Sequence, residues 1–392
     1  MKVVFSYAPD SLAGFNGCLT LFKKCVDSIP NSHAIFFNRD WKPKNKPYKT
    51  RDQELGSIFE KNQYTLTNEE ETFVKTCNEA DAVFFLSSID KPYTQYYVDL
   101  INSLQTKKFL MIVGGSGMSR SRKHMTGIQW DGCWCLRQEI RDSHIRLKLI
   151  DKDLPFVMGP NPYQMKCPYT PEELVQYKNK NKIITNTRMS SFKNPDYMFD
   201  LISELSQQPR NIVEMWGIEE DEPGTPQFLR LFKCVPRRHQ KWNTLKSIRK
   251  GSYTPSDFEK IMLETSFAMD FTNNTTDAVR WNDGGLQYCQ MEAIEWGVIP
   301  ICLSDFYLDE EFDSIMKRYP KLEKLKDPFG EYSKEELEKI VNDIQKTMDE
   351  LSDEEHIEYI RKGREYILQN NSYQKLSDSI YKLIKMSLDI EL

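Results

Sequence analysis

The sequence predicts an α/β protein with two doubly wound, Rossmann-like domains that face a cleft. Short apolar runs of strand length recur along the whole chain and alternate with segments of helical period. Continuous apolar strands between helices indicate parallel sheets that are covered on both faces. At 392 residues the chain is long for one hydrophobic core and of ordinary length for two.

Strands are predicted where a short apolar and β-branched run separates two helical segments. In the first half of the chain these runs are Val3–Ser6, Ala34–Phe37, Ala82–Leu86, Phe109–Val113 and Phe156–Met158. In the second half they are Ile183–Asn186, Ile212–Trp216, Phe267–Phe271 and Ile299–Leu303. Ligands are expected where the carboxyl ends of these strands meet the cleft.

The domain boundaries follow from the same alternation. The polar stretch Tyr177–Lys182 is interpreted as a linker, after which the strand and helix pattern begins again. We therefore predict a first domain at 1–178 and a second at 179–365. Residues 366–392 are predicted to form a helix that packs back on the first domain. The apolar residues of this helix that recur at helical spacing are Leu376, Ile380, Leu383 and Ile384.

Charge is high but mixed, and the net charge of −5 argues against a basic surface over the whole protein. Nucleic-acid binding is decided by local patches. Two basic stretches with interspersed aromatic residues are present, Trp41–Arg51 and Arg237–Lys250. For an arbitrary protein each is more often a solvated loop, so the sequence leaves both interpretations open.

The nine cysteines are scattered and mostly lie in apolar runs, as reduced core thiols do. Cys133 and Cys135 form the only close pair, and no second pair or histidine cluster completes a zinc site. We therefore expect no metal. No stretch approaches the roughly 20 apolar residues of a membrane span, and the amino-terminal apolar run is too short for a signal peptide.

Two glycine-bearing turns follow predicted strands, where backbone N–H groups can approach an anion at a helix amino terminus. Gly14, Asn16 and Gly17 lie after the first strand in a spacing that an ordinary tight turn also has. The turn Val113–His124 carries three cations, Arg120, Arg122 and Lys123. It lacks a P-loop pattern, and its cations suit either a donor phosphate or a nucleic-acid backbone.

The segment Gln287–Ile301 is predicted to form a helix that carries Glu292, a tight turn at Gly297 and a buried strand. An ionised glutamate can accept two hydrogen bonds, as adjacent ribose hydroxyls require. Upstream, Arg188 and Lys193 follow a strand and open another helix, where they could hold a diphosphate and neutralise charge on a leaving phosphate. Taken singly, each of these three residues also suits a solvated helix position.

These motifs resemble those of the α-glucosyltransferases of T-even bacteriophages, which are B-fold glycosyltransferases acting on 5-hydroxymethylcytosine in duplex DNA. The family's turn Gly-Arg-Thr-Thr-Thr-Trp-Lys-Gly is matched by Thr187–Asn194. Its Met-Glu-Gly-Leu-Glu is similar to Met215–Glu219, which contains Gly217 and Ile218. Its Leu-Glu-Leu-Gly-Ala-Cys-Gly-Thr-Ile-Pro-Val is matched by Met291–Ile301.

The resemblance implies a retaining glycosyltransferase that uses a UDP-sugar, carrying glucose or a pentose such as arabinose, without a metal. Its implied donor-binding residues are Gly14, Asn16, Gly17, Arg188, Lys193, Gly217, Ile218, Gln287 and Glu292, with Arg188 and Lys193 as the catalytic pair. The implied DNA contacts are Lys44, Arg120, Arg122, Lys123, Arg237 and Lys241. It further implies a monomer in the cytoplasm of an infected bacterium, where the modification would protect phage DNA from restriction.

The chain departs from the family pattern at two places. Gln287 stands where the family has an acidic residue, and Gly114–Gly117 stands where the family has a His-Asp-His run. Two alternatives therefore stay open: a transferase of the same fold that acts on a cell-surface polysaccharide or a protein, and a non-catalytic DNA-binding protein. Salt-dependent DNA affinity distinguishes a DNA glycosyltransferase from a transferase that acts on a polysaccharide or a protein. Stabilisation by UDP distinguishes it from a non-catalytic DNA-binding protein.

Overall fold

The computed structural model describes residues 1–7, 17–37, 52–53, 55–86, 95–113, 127–185, 195–216, 247–251, 254–271, 286–304, 310–322 and 332–388. Within these residues the strands form two sheets in which every neighbouring pair is parallel. The predicted α/β fold class is therefore confirmed.

The first sheet has seven strands in the order β3-β2-β1-β4-β5-β6-β7. They are β1 (Val3–Tyr7), β2 (Ser32–Phe37), β3 (Tyr64–Thr67), β4 (Ala82–Leu86), β5 (Lys107–Ile112), β6 (Gly132–Cys135) and β7 (Phe156–Met158). Successive side chains of a strand point to opposite faces. Phe5 and Val4 accordingly belong to different buried clusters, which shows that both faces of the sheet are covered.

The second sheet has six strands in the order β10-β9-β8-β11-β12-β13. They are β8 (Asn179–Thr185), β9 (Ile212–Trp216), β10 (Arg249–Gly251), β11 (Thr265–Asp270), β12 (Ile299–Leu303) and β13 (Lys317–Tyr319). Its two faces are also covered, because Ile183 and Ile184 lie in separate buried clusters.

The described helices connect these strands and cover the sheets. They are α1 (Gly17–Ser28), α2 (Glu70–Asn78), α3 (Gln95–Ser103), α4 (Gln138–Arg146), α5 (Pro171–Tyr177), α6 (Pro195–Leu205), α7 (Pro255–Glu264), α8 (Tyr288–Glu295), α9 (Lys334–Glu350), α10 (Asp353–Asn370) and α11 (Tyr373–Ser387). Helices α5 and α7 both begin with a capping box, at Thr170 and Thr254, followed by proline at the first position.

The predicted strands agree with the structure in place, and four of them in both bounds: β4, β7, β9 and β12. The sequence missed β3, β6, β10 and β13, which have three or four residues each. Short runs that contain polar residues or glycine do not stand out as apolar patterns, whereas the three residues of β7 are all apolar. The stretch Tyr177–Lys182 is not a linker, because β8 begins at Asn179 and pairs there with β11.

The chain divides into two compact units, one of residues 1–164, 275–287 and 368–392, the other of residues 165–274 and 288–367. In the first unit, α11 packs against α1, β6 and β7. Its Ser379 Oγ accepts a hydrogen bond of 2.9 Å from Trp134 Nε1, and Leu383 lies against Gly132. The C-terminal helix thus completes the core of a sheet formed by the start of the chain.

Candidate functional site

The structure describes three of the residues predicted to bind the donor. Gly17 is the first residue of α1, Gln287 immediately precedes α8, and Glu292 lies within α8. The remaining predicted site residues lie outside the described residues, and the roles of both groups stay predictions. They are Gly14, Asn16, Lys44, Arg120, Arg122, Lys123, Arg188, Lys193, Gly217, Ile218, Arg237 and Lys241.

The second sheet has a topological switch point between β8 and β11. From β8 the chain proceeds to β9 on one side, whereas β11 pairs with β8 on the other side. In open α/β sheets, ligands bind outside the carboxyl ends of the strands at such a point. The last residues of the two strands, Thr185 and Asp270, are both buried there.

The first turn of α8 lies at this carboxyl edge, because the thiol of Cys289 donates a hydrogen bond of 3.3 Å to Asp270 Oδ2. Glu292 follows Cys289 by three residues and therefore shares its face of the helix. Both side chains are half-buried. On the opposite face, buried Gln290 donates to Cys302 Sγ of β12 at 3.5 Å. Helix α8 is thus held against the sheet with Glu292 on its less buried side.

The carboxyl end of α8 is a Schellman motif. Gly297 has φ of 71°, and its N–H donates to Ile294 O, while the N–H of Val298 donates to Ala293 O. A Cβ at position 297 would lie 2.8 Å from Ile360 Cδ1. The tight turn predicted at Gly297 is therefore confirmed, and glycine is required by both backbone conformation and space.

Three basic side chains cap the carbonyls that this motif leaves open. Arg364 donates to Glu295 O from Nε at 3.0 Å and from Nη2 at 2.6 Å. Lys178 Nζ donates to Trp296 O at 2.6 Å. His356 Nε2 donates to Gly297 O at 2.8 Å, since a carbonyl can only accept. These contacts satisfy the terminal carbonyls of a helix whose carboxyl end carries negative partial charge.

The capping groups also bind neighbouring backbone. Arg364 Nη1 donates to Tyr169 O at 2.7 Å, and Lys178 Nζ donates to Met262 O at 2.7 Å. The buried carboxylate of Glu295 accepts hydrogen bonds from the backbone N–H groups of Lys166 and Cys167. The end of α8 is therefore tied to α10, to the end of α7 and to the segment that precedes α5.

Burial shifts the pKa values of two capping groups. Desolvation lowers the pKa of His356 to about 4 and the pKa of Lys178 well below its usual value. The Nδ1 atom of His356 is buried and has no hydrogen-bond partner among the residues that the structure describes. Sequence reasoning missed these two residues, Asp270, Glu295 and Arg364, because each is made relevant by contacts with residues distant in the chain.

The close pair Cys133 and Cys135 lies buried in β6, and burial raises the pKa of Cys135 to about 12. Within the part of the chain that the structure describes, no group of three histidine, cysteine or carboxylate residues is arranged to hold a metal ion. No helix among the described segments is long and apolar enough to cross a membrane.

Two parallel, doubly wound sheets with C-terminal helices are the architecture of the GT-B glycosyltransferases, and this chain has that fold. An alpha-glucosyltransferase in complex with UDP matches it with a TM-score of 0.67 at 14% identity, over 98% of this chain and 100% of that one. The same enzyme with UDP and a 13-mer DNA matches with a TM-score of 0.65 at 13% identity, over 98% and 100%.

Two further solved structures share the fold over the same length. HepE of Anabaena in complex with UDP matches with a TM-score of 0.65 at 12% identity, over 98% of this chain and 100% of that one. A glycosyltransferase from Rickettsia africae ESF-5 matches with a TM-score of 0.64 at 13% identity, over 100% and 99%. No family model and no curated protein sequence matches the chain.

Proposed function

We propose that this protein is a retaining glycosyltransferase that moves glucose or a pentose from a UDP-sugar to the hydroxymethyl group of 5-hydroxymethylcytosine in phage DNA. The observation that carries the proposal is the switch-point edge of the second sheet, where the first turn of α8 meets Asp270 and Glu292 lies one turn further on. That edge belongs to a fold shared over its full length with an alpha-glucosyltransferase that was solved with UDP and DNA.

Donor recognition is assigned mainly to residues of the C-terminal half of the chain. Glu292 accepts hydrogen bonds from the ribose hydroxyls, and Gln287 adds an uncharged partner. Arg188 and Lys193 hold the diphosphate and neutralise the charge that grows on it as the sugar leaves. Further donor contacts are assigned to the backbone at Gly14, Asn16, Gly17, Gly217 and Ile218.

Acceptor recognition is assigned to basic residues of both halves of the chain. Lys44, Arg120, Arg122, Lys123, Arg237 and Lys241 contact DNA phosphates, which position the duplex without reading its sequence. The target base leaves the stack to reach the transferred sugar. Gly114–Gly117 carries no side chain suited to act as a base. The departing phosphate therefore accepts the proton of the hydroxymethyl group.

A transfer assay tests the reaction. The protein is incubated with hydroxymethylcytosine-containing DNA and a panel of UDP-sugars, and the nucleosides are read by mass spectrometry. We expect a mass gain with one sugar, loss of that gain in Arg188→Ala, and retention in Arg210→Ala, which removes an exposed arginine paired with Asp349. No gain with any donor would contradict the proposed donor and acceptor pair.

A transferase acting on a cell-surface polysaccharide or a protein is the second candidate, because HepE with UDP and the Rickettsia glycosyltransferase, both solved without DNA, match the fold as well as the DNA-bound enzyme does. DNA affinity separates the candidates. A DNA enzyme that neutralises several phosphates loses affinity steeply with salt, whereas a polysaccharide enzyme has no such affinity to lose. Because the chain has a net charge of −5, nonspecific adsorption should contribute little to the measured DNA affinity.

A further inference from the structure

Helix α8 carries Glu292 near its middle and the three capped carbonyls at its carboxyl end. The helix has eight residues, so Glu292 and Trp296 are separated by about 6 Å along its axis. A helix this short moves as one piece. Any shift or rotation of its carboxyl end therefore displaces Glu292 and Cys289 by a similar distance.

Side chains from outside α8 supply the hydrogen bonds that its Schellman motif leaves open. The Schellman motif already satisfies Ile294 O and Ala293 O. The remaining three carbonyls each receive a side-chain donor from outside α8: buried His356 and half-buried Arg364 from α10, and half-buried Lys178 from the residue after α5. Burying His356 and desolvating the amine of Lys178 oppose folding, and features that oppose folding concentrate at functional sites.

We propose that His356, Lys178 and Arg364 are positioning residues for donor recognition: by fixing the last carbonyls of α8, they hold Glu292 where the ribose hydroxyls bind. The inference rests on the proposed function of Glu292. A site that is preorganised in this way binds its ligand more tightly, because less conformational freedom is lost on binding. None of the three side chains needs to touch the donor.

Two substitutions of His356 separate positioning from bulk packing. His356→Gln keeps an N–H donor within reach of Gly297 O, and His356→Leu fills a similar volume without a donor. We expect His356→Leu to raise the dissociation constant for UDP and the KM for the UDP-sugar about tenfold, since it leaves a buried carbonyl unpaired. His356→Gln should restore both values to near those of the wild type, and DNA affinity should stay unchanged in either variant.

The control is Ile344→Ala, which opens a cavity in the core of the same unit away from α8. It should lower the melting temperature at least as much as His356→Leu and leave the UDP dissociation constant unchanged. Equal UDP affinity in His356→Leu and the wild type would overturn the proposal. If His356→Leu does not fold, Arg364→Lys is measured in the same way, because lysine loses the forked donation to Glu295 O.

A second readout needs no nucleotide. Cys289 lies on the first turn of α8, so the rate at which its thiol is alkylated, followed by peptide mass spectrometry, reports the position of the helix directly. We expect a faster rate in His356→Leu and wild-type rates in His356→Gln and Ile344→Ala. A wild type that binds no UDP would contradict the proposed function alone. Unchanged alkylation in His356→Leu would then overturn the positioning role.

Discussion

At the residue scale, Gly297 decides whether α8 can pass directly into β12. Its φ of 71° lies in the left-handed region, which side chains other than glycine rarely adopt. The position also has no room, since a Cβ there would meet two carbons of the Ile360 side chain. Backbone conformation and packing thus impose the same residue independently.

Gly297→Ala should therefore destabilise the second unit by about 1–3 kcal/mol. The expected cost comes from the left-handed backbone and from displacement of Ile360. Urea denaturation followed by tryptophan fluorescence measures it. Gly56→Ala is the matched control, because a Cβ there would meet its nearest neighbour, the Tyr64 hydroxyl, at an ordinary 3.6 Å. Equal stability of the two variants would contradict the role assigned to Gly297.

At the scale of elements, α11 belongs to a core built by residues far from it in sequence. Ile380 and Leu383 are fully buried in the same cluster as Val3, Phe5 and Trp134. The Ser377 hydroxyl also donates to Ser28 O at the end of α1, at 3.2 Å. The first sheet therefore lacks part of its covering layer until the last helix has docked.

Ile380→Ala should lower the free energy of unfolding by about 2–5 kcal/mol, because it removes a buried side chain and leaves a cavity in the core of the first unit. The control is Lys382→Ala on the exposed face of the same helix, which should change stability by no more than about 0.5 kcal/mol. Chemical denaturation of both variants gives the comparison. A small effect of Ile380→Ala would mean that α11 is not part of the first core.

At the scale of the whole molecule, a fall in pH should destabilise the second unit because His356 becomes protonated. Burial lowers the folded-state pKa of this side chain from 6.5 to about 4. Between these values the unfolded chain binds the proton more tightly than the folded chain does. The contribution of His356 is therefore fully present above pH 6.5 and is lost as the pH falls toward 4.

The charged groups nearest His356 act in opposite directions. Lys178 and Lys180 lower its pKa, whereas Asp353 raises it. Asp353 is itself held ionised by Lys180, so its own contribution is lost only below its usual pKa of 3.8. As the pH falls from 6.5 to about 4, we expect protonation of His356 to lower the free energy of unfolding by on the order of 3 kcal/mol. Denaturation midpoints between pH 7.5 and 4.5 should fall more steeply for the wild type than for His356→Gln, and parallel curves would contradict this assignment.

Much of the fold was predictable because the position of a strand is determined largely by the composition of its own residues. The run at Ala82–Leu86 is apolar throughout and lies between Asp81 and Ser87, and the run at Ile299–Leu303 follows the turn at Gly297 and ends before Ser304, so their bounds were predicted correctly. The strands at Tyr64–Thr67 and Lys317–Tyr319 were missed because they lie at sheet edges and carry polar residues. Their strand geometry comes from pairing with a neighbour rather than from composition.

Some features of the candidate site were likewise predictable from the sequence, and others were not. Sequence alone determined the helix of Glu292, the glycine turn after it and the two-sheet α/β class, because hydrophobic period and glycine conformation act over a few residues. Only the tertiary structure decided that Asp270 meets Cys289 and that Lys178, His356 and Arg364 cap one helix end. These contacts join residues up to 118 positions apart, and a hydrogen bond between such residues exists only once the second sheet and its helices have packed.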